Sequence, residues 1–367
     1  MGDIPQYKGC GEFDGVLIEL TSHCNLHCEF CPSDSLKRKK QHMKHEHVLS
    51  ILSELKDRNA RIMFHVMGEP LLNKNLPVYL SVCDEYNISV HLISNITLLN
   101  DDKLNEILSH KALSCIELSL QTVSEEDFIK RGSGLSFKQY LKTLENIVFN
   151  RNRILRDVKI LICVMNDYNC YHDKLWGVFS EEKLNAFLDL TDAWKEKLIH
   201  QGIFKREELD DKESLPDHGV PKRQAYYTNR SHIPPDFFRD SEYGTLSYEF
   251  APNLVVFVKY FGTFGAHDRF LEKLSSRPGY PYNISIKESR NPRACGLARN
   301  IAVLSNGEIT CCCLDVEGEL SLGNIENISL LDAIASPLRN LVHQHPDYFS
   351  TCRRCRGELV FAKRDIL

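Results

Sequence analysis

The sequence contains no apolar run approaching the ~18 residues of a membrane-spanning helix, and its N-terminus lacks the basic, apolar and small-residue layout of a signal peptide. Neither a membrane partner nor secretion is expected, and a cytoplasmic location is. Charge of one sign is also scarce: 45 basic against 50 acidic residues leave a formal net charge of −5. Phosphate recognition concentrates Lys and Arg, so no nucleic-acid partner is expected. The one dense basic run, Lys37 to Lys40, reads as a solvated loop. Internal repeats and low-complexity tracts are missing too.

Cysteine, in contrast, is abundant, with 14 in 367 residues. In a reducing compartment clustered thiols serve as metal ligands or catalysts more often than as disulfides. Cys10, Cys83, Cys115, Cys163 and Cys170 are scattered singly and read as small buried hydrophobes. The others form two groups, Cys24, Cys28 and Cys31 near the N-terminus, and Cys295, Cys311 to Cys313, Cys352 and Cys355 near the C-terminus.

Apolar patterning places both groups in an α/β chain. The run Gly15 to Leu20 (GVLIEL) is a short buried strand leading into the first cysteines. Arg61 to Met67, Ile88 to Ile93, Cys115 to Leu120, Val158 to Val164 and Leu254 to Tyr260 are further strands. Helical spacing separates them at His47 to Leu55, Lys103 to Leu108 and Phe137 to Val148. Such alternation predicts right-handed βα units on a parallel sheet, with functional loops at the C-terminal strand ends. The polar stretch from about 166 to 250, with Pro216, Pro221, Pro234 and Pro235, exceeds an ordinary connection and reads as a lid or substrate-recognition insertion. Toward the C-terminus, Ile301 to Leu304 and Glu308 to Cys312 flank Asn306-Gly307 as a hairpin, and Leu330 to Leu341 follows as a helix.

Cys24, Cys28 and Cys31 are spaced C-x3-C-x2-C. Three thiolates ligate three corners of a [4Fe–4S] cubane, whereas a protein-held cluster usually takes four. The open iron can coordinate a small molecule. With Phe30 before the third cysteine, this motif resembles that of the radical S-adenosylmethionine (SAM) superfamily. The resemblance implies a partial (β/α)6 TIM-like barrel over residues 1–260, and a cluster that cleaves SAM to a 5′-deoxyadenosyl radical. Gly68-Glu69-Pro70 matches the family's GEP element, which holds the methionine ammonium. Ser94 and Asn95 resemble its Thr-Asn-Gly segment, with Ile96 in place of glycine, and Ser119 and Gln121 stand at another expected SAM contact. Arg131 resembles the arginine that pairs with the SAM carboxylate, with an ordinary surface arginine as the other reading.

The second group resembles a Twitch domain, the shortened SPASM extension, over residues 261–367. One cysteine, a Gly-x4-Cys element through Gly307 and Cys312, and a distant C-x2-C carry that likeness. It implies one auxiliary [4Fe–4S] cluster on Cys295, Cys312, Cys352 and Cys355, while the triplet leaves Cys311 and Cys313 as alternatives to Cys312. The spacing also permits a structural zinc on four thiolates. The implied reaction is hydrogen abstraction followed by oxidation of a small or carbohydrate-like natural-product substrate. The alternatives are epimerisation with Cys163, Cys170, Cys311 or Cys313 as hydrogen donor, peptide modification, or a non-enzymatic iron–sulfur carrier or zinc module. The 23 residues before Cys24 are few for a peptide-recognition domain. A flavodoxin- or ferredoxin-type electron donor is the implied protein partner.

Overall fold

The computed structural model describes residues 15–149, 158–166, 181–208, 224–227, 230–233, 245–260, 268–290, 300–355 and 357–364. It divides into two compact units, the first comprising Met1–Leu92, His110–Leu113 and Gly262–Leu367, the second Ile93–Ser109 and Ser114–Phe261.

In the first unit β1 (Gly15–Ile18) is buried on both faces, as expected of an apolar run within a parallel sheet. It pairs in parallel with β2 (Arg61–Phe64) on one side and with β10 (Asn300–Val303) on the other. β3 (Ser89–Ser94) continues in parallel beyond β2, while β11 (Glu308–Thr310) and β12 (Ser321–Asn324) add antiparallel beyond β10. Part of the segment read as a Twitch domain, β10 to β12, thus extends the sheet of the first strand.

Helix α1 (His45–Leu55) follows β1 and buries Val48, Ile51, Leu52 and Leu55, an i, i+3, i+4, i+7 stripe. Helix α2 (Leu76–Tyr86) follows β2 and ends on Asn87 in the left-handed conformation. The expected hairpin turns at Gly307, whose φ is +86°. The single helix expected over Leu330 to Leu341 is two, α8 (Leu330–Ile334) and α9 (Pro337–Gln344). Pro337 forces Ser336 into an extended conformation, and the Ser336 hydroxyl then caps Leu338 N. Helices α7 (Asp268–Ser275) and α10 (Ser350–Cys355) and a two-stranded antiparallel pair, β9 (Tyr282–Lys287) with β13 (Glu358–Lys363), complete the unit.

The second unit carries β4 (Leu113–Gln121), β5 (Lys159–Asn166) and β8 (Leu254–Tyr260) in parallel. β7 (Thr245–Ala251) pairs antiparallel with β8, and β6 (Gln224–Tyr227) pairs in parallel with β7. The helices are α3 (Asp101–Leu108), α4 (Glu125–Phe128), α5 (Phe137–Phe149) and α6 (Glu181–His200). Asn100 caps α3 and Ser124 caps α4 through their side chains. Within the stretch read as an insertion, α6 presents Trp194 to Phe149, Phe187 and Phe250. Among the described residues no helix is long and apolar enough to cross a membrane.

Candidate functional site

Beyond β1 the chain forms a loop closed at its own base. Ser22 N–H donates to Gln41 O (3.0 Å), Gln41 N–H returns to Ser22 Oγ (2.9 Å), and Met43 N–H donates to Leu20 O (3.0 Å). Leu26 and Phe30 are buried and tie the loop to the core, while Cys24, Cys28 and Cys31 stay partly exposed. Burial pushes the Cys31 thiol up to about 12; the charges of Cys28 and Cys24 act in the same direction, against Lys273 and a backbone hydrogen bond at Ser33. Charges perturb one another over a few ångströms, so the three sulfurs share one neighbourhood.

Gly68-Glu69-Pro70 lies against the base of this loop. Gly68 has φ +77°, and a Cβ there would sit 2.2 Å from Thr21 O and 2.7 Å from His23 O. The glycine therefore serves the contact between the two loops. Glu69 N–H donates to His23 O (2.8 Å), and its buried carboxylate accepts from Leu71 N through Oε1 (3.1 Å). A carboxylate has about four acceptor positions, so capping Leu71 is compatible with holding an ammonium.

In the second cysteine group, β11 stops at Thr310, and Cys311 to Cys313 enter a turn held by Asp315. The Asp315 carboxylate accepts from Glu319 N (2.9 Å), Leu320 N (2.7 Å) and the Thr310 hydroxyl. The strand expected over Glu308 to Cys312 ends before the triplet, at Thr310. Burial pushes the Cys311 thiol up to about 12; Arg339 opposes this, and the charges of Asp315, Cys312 and Cys352 add to it. Cys312 is also held well above the ordinary range, by a hydrogen bond with Cys313 and by burial, and its Sγ accepts from Leu314 N (3.4 Å). Cys313, like Cys31, also packs against the cluster of Leu17, Val66, Met67, Ala302, Leu304 and Val316. Cys352 and Cys355 lie three apart on α10 and so on one helix face. Cys295, Cys170 and Cys10 lie outside the described residues.

The remaining site candidates belong to the second unit. Ser94 Oγ accepts from Ile96 N (2.9 Å), and Asn95 Oδ1 accepts from Thr97 N (3.0 Å). Ile96 has φ +57°, the conformation that favours glycine, so the backbone keeps the turn although the residue differs. A register irregularity between Ser119 and Gln121 bulges the end of β4, with Gln121 at φ +64°. Among the described residues Gln121 Oε1 is buried with no hydrogen-bond partner. Arg131 is no surface arginine: it is buried, donates to Leu120 O (3.0 Å) and faces the rings of Tyr140 and Phe128 at 5.2 and 5.6 Å.

Comparison with known families decides the assignment. The Radical SAM superfamily model matches residues 18–169, and the SPASM iron-sulfur cluster-binding domain matches residues 295–356. The chain belongs to the radical SAM superfamily. It is 32% identical over 129 residues to PqqA peptide cyclase of Granulibacter bethesdensis, covering 35% of this chain and 34% of that protein. It is 37% identical over 78 residues to the S-adenosyl-L-methionine-dependent 2-deoxy-scyllo-inosamine dehydrogenase of Niallia circulans, covering 20% of this chain and 31% of that one. The chain thus spans about a third of the length of these curated relatives. The fold is that of SuiB from Streptococcus suis, solved with precursor peptide SuiA, with a TM-score of 0.53, 18% identity, and 92% of this chain and 67% of that one covered.

As a radical SAM protein with a SPASM-type domain, the chain takes a SAM-binding [4Fe–4S] cluster and an auxiliary cluster. Its residues fit both. Three partly exposed thiols share the first loop, and in the second Cys311 is in electrostatic range of both Cys312 and Cys352. Ligation ionises such thiols, since metal binding releases the proton. Among the described residues no group of His, Cys, Asp or Glu is drawn close enough for a single ion. Sequence reasoning missed Glu19, Arg38 and Lys273. The available signal was Glu19 itself, one acid inside the apolar run GVLIEL. Arg38 corrects the solvated-loop reading of Lys37 to Lys40, because its side chain is only 7% exposed against Glu19.

Proposed function

We propose that this radical SAM enzyme abstracts hydrogen from a C–H bond of a small or carbohydrate-like molecule and oxidises that carbon. The observation that carries the reading is the seating of Gly68-Glu69-Pro70 against the base of the Cys24–Cys31 loop. Cys24, Cys28 and Cys31 hold the SAM-binding cluster, and Glu69 accepts the methionine ammonium through charge-assisted hydrogen bonds. Ser94, Asn95, Ser119, Gln121 and Arg131 serve SAM as polar contacts, Gln121 through its unsatisfied Oε1. Cys295, Cys312, Cys352 and Cys355 ligate the auxiliary cluster. When bound, the first cluster would supply the electron for reductive cleavage of SAM, and the auxiliary cluster would offer an acceptor for the electron lost by the substrate.

Similarity to the Niallia circulans dehydrogenase supports a small-molecule substrate. Similarity to PqqA peptide cyclase favours a second reading, peptide modification. Epimerisation through Cys163 is disfavoured, because that thiol is wholly buried in β5 and a hydrogen donor must reach its substrate.

The test uses reduced holoenzyme in D2O with amino-cyclitols, beginning with 2-deoxy-scyllo-inosamine, and a short peptide as the second arm. The expected result is one SAM consumed per oxidised cyclitol, with no solvent deuterium at the reacting carbon. Stoichiometric deuterium uptake at unchanged oxidation level would establish epimerisation instead, and product from the peptide arm alone would establish the second reading. A narrower check concerns Glu69→Ala, which is expected to weaken SAM binding by roughly 1.5–3 kcal/mol, the scale of a hydrogen bond to a charged group. Iron content should stay at the wild-type level, and unchanged affinity would remove Glu69 from the site.

A further inference from the structure

Glu19 is fully buried at the end of β1, after four apolar residues. An isolated carboxylate at such a position is costly to desolvate, and here four hydrogen bonds surround it. Oε1 accepts from Arg38 Nη2 (2.6 Å) and Met67 N (3.1 Å), and Oε2 accepts from Arg38 Nη1 (2.7 Å) and Ser305 N (2.8 Å).

Arg38 uses the rest of its fork equally fully. Its Nε donates to Val316 O (2.5 Å) and its Nη1 also reaches Ser305 Oγ (3.2 Å). Around the pair, Glu317 accepts from Lys37 N (2.8 Å) and Arg38 N (3.2 Å), Ser305 Oγ donates to Ser22 Oγ (3.1 Å), and Gln41 Nε2 donates to Ser305 O (3.1 Å).

These bonds join four segments far apart in sequence. Arg38, Ser22 and Gln41 belong to the loop that carries Cys24, Cys28 and Cys31. Met67 immediately precedes Gly68-Glu69-Pro70. Ser305 is in the β10–β11 turn, and Val316 and Glu317 follow the Cys311–Cys313 triplet. Beside Met67, Val66 has φ +123°, a region that a β-branched residue enters only when its surroundings over-determine it. The bond from Met67 N to Glu19 is part of that determination.

We propose that Glu19 and Arg38 are a positioning pair: they lock the cysteine loop, the Gly68–Pro70 segment and the auxiliary-cluster turn into one frame, so that SAM affinity depends on them although neither is a ligand. The proposal rests on the assignment of the SAM site to Cys24–Cys31 and Gly68–Pro70. Charge alone does not meet the geometric demand. A guanidinium delivers its donors in a fixed planar fork, whereas an ammonium offers a compact point charge. Lysine at position 38 therefore neutralises Glu19 but cannot also span Val316 O and Ser305.

The experiment compares reconstituted wild type, Arg38→Met, Arg38→Lys and Glu19→Gln. The readouts are the change that SAM produces in the EPR spectrum of the reduced cluster, titrated for affinity, iron per chain, and thermal midpoint. Wild type must show the SAM-induced change; its absence there would refute the site assignment and not the pair. Given that change, the expected result is at least a tenfold rise in SAM dissociation constant for Arg38→Met, a smaller rise for Arg38→Lys, and retention of the auxiliary-cluster signal in both. If Arg38→Met does not fold, Glu19→Gln decides: it keeps an acceptor for Met67 N, loses the charge that holds Arg38, and should raise the constant at least fivefold. Wild-type affinity in the folded variants, or equal loss of both clusters with affinity intact in the surviving fraction, would overturn the proposal and leave the pair a purely structural one.

Discussion

Replacing Cys24, Cys28 and Cys31 together with Ala is expected to leave about half of the iron of a two-cubane chain, which reconstitutes with about eight irons, and to abolish SAM cleavage. The loss follows from the chemistry of the loop. Its three thiols are the only cysteines between residues 11 and 82, and the base of the loop is closed by backbone bonds that the substitutions leave untouched. Leu26 and Phe30 continue to hold it to the core. The variant should therefore fold, keep its auxiliary iron, and produce no 5′-deoxyadenosine. Iron analysis and chromatography of the deoxyadenosine product check both halves. Full iron with cleavage retained would move the SAM-binding cluster elsewhere, and zinc replacing half of the wild-type iron would remove the auxiliary cluster.

Gly68→Ala is expected to destabilise the chain by at least about 3 kcal/mol, a size reserved for backbone strain and overpacking, and to eliminate SAM binding in whatever folds. Two independent costs combine. The φ of +77° penalises any Cβ, and the new atom would lie 2.2 Å from a backbone oxygen of Thr21 that has no flexible side chain to move aside. Gly134→Ala is the control, since nothing lies within 4 Å of its Cβ position. Its effect should stay within about 0.5 kcal/mol, as for an open surface site. Urea unfolding midpoints measure the difference, and equal midpoints would contradict the close packing of the two loops.

Much of the local structure was legible because its causes are local. Gly15 to Ile18 is an uninterrupted apolar run and forms the buried β1; Leu254 to Tyr260 forms β8 with the bounds its pattern predicts. Asn306-Gly307 makes the expected turn, and the C-x2-C spacing of Cys352 and Cys355 falls on one helix face whatever surrounds it. Even the split between α8 and α9 was available from Pro337, and was missed because the apolar period runs across it.

Charged residues were the least legible. Arg38 reads as solvated because Lys37, Lys39 and Lys40 surround it, and Arg131 reads equally well as a surface residue; both are buried against partners that no local pattern announces.

The sequence by itself determined the two cysteine groups, the succession of strands and helices, and the membership of the radical SAM superfamily, because thiol spacing and apolar periodicity act over a few residues. Only the tertiary structure decided that β10 pairs with β1, that Gly68 is required by the carbonyl of Thr21, and that Glu19 meets Arg38, Met67 and Ser305. The physical reason is that a buried charge is stable only where distant segments deliver its hydrogen-bond partners, and which segments meet is settled by packing and strand pairing across the chain.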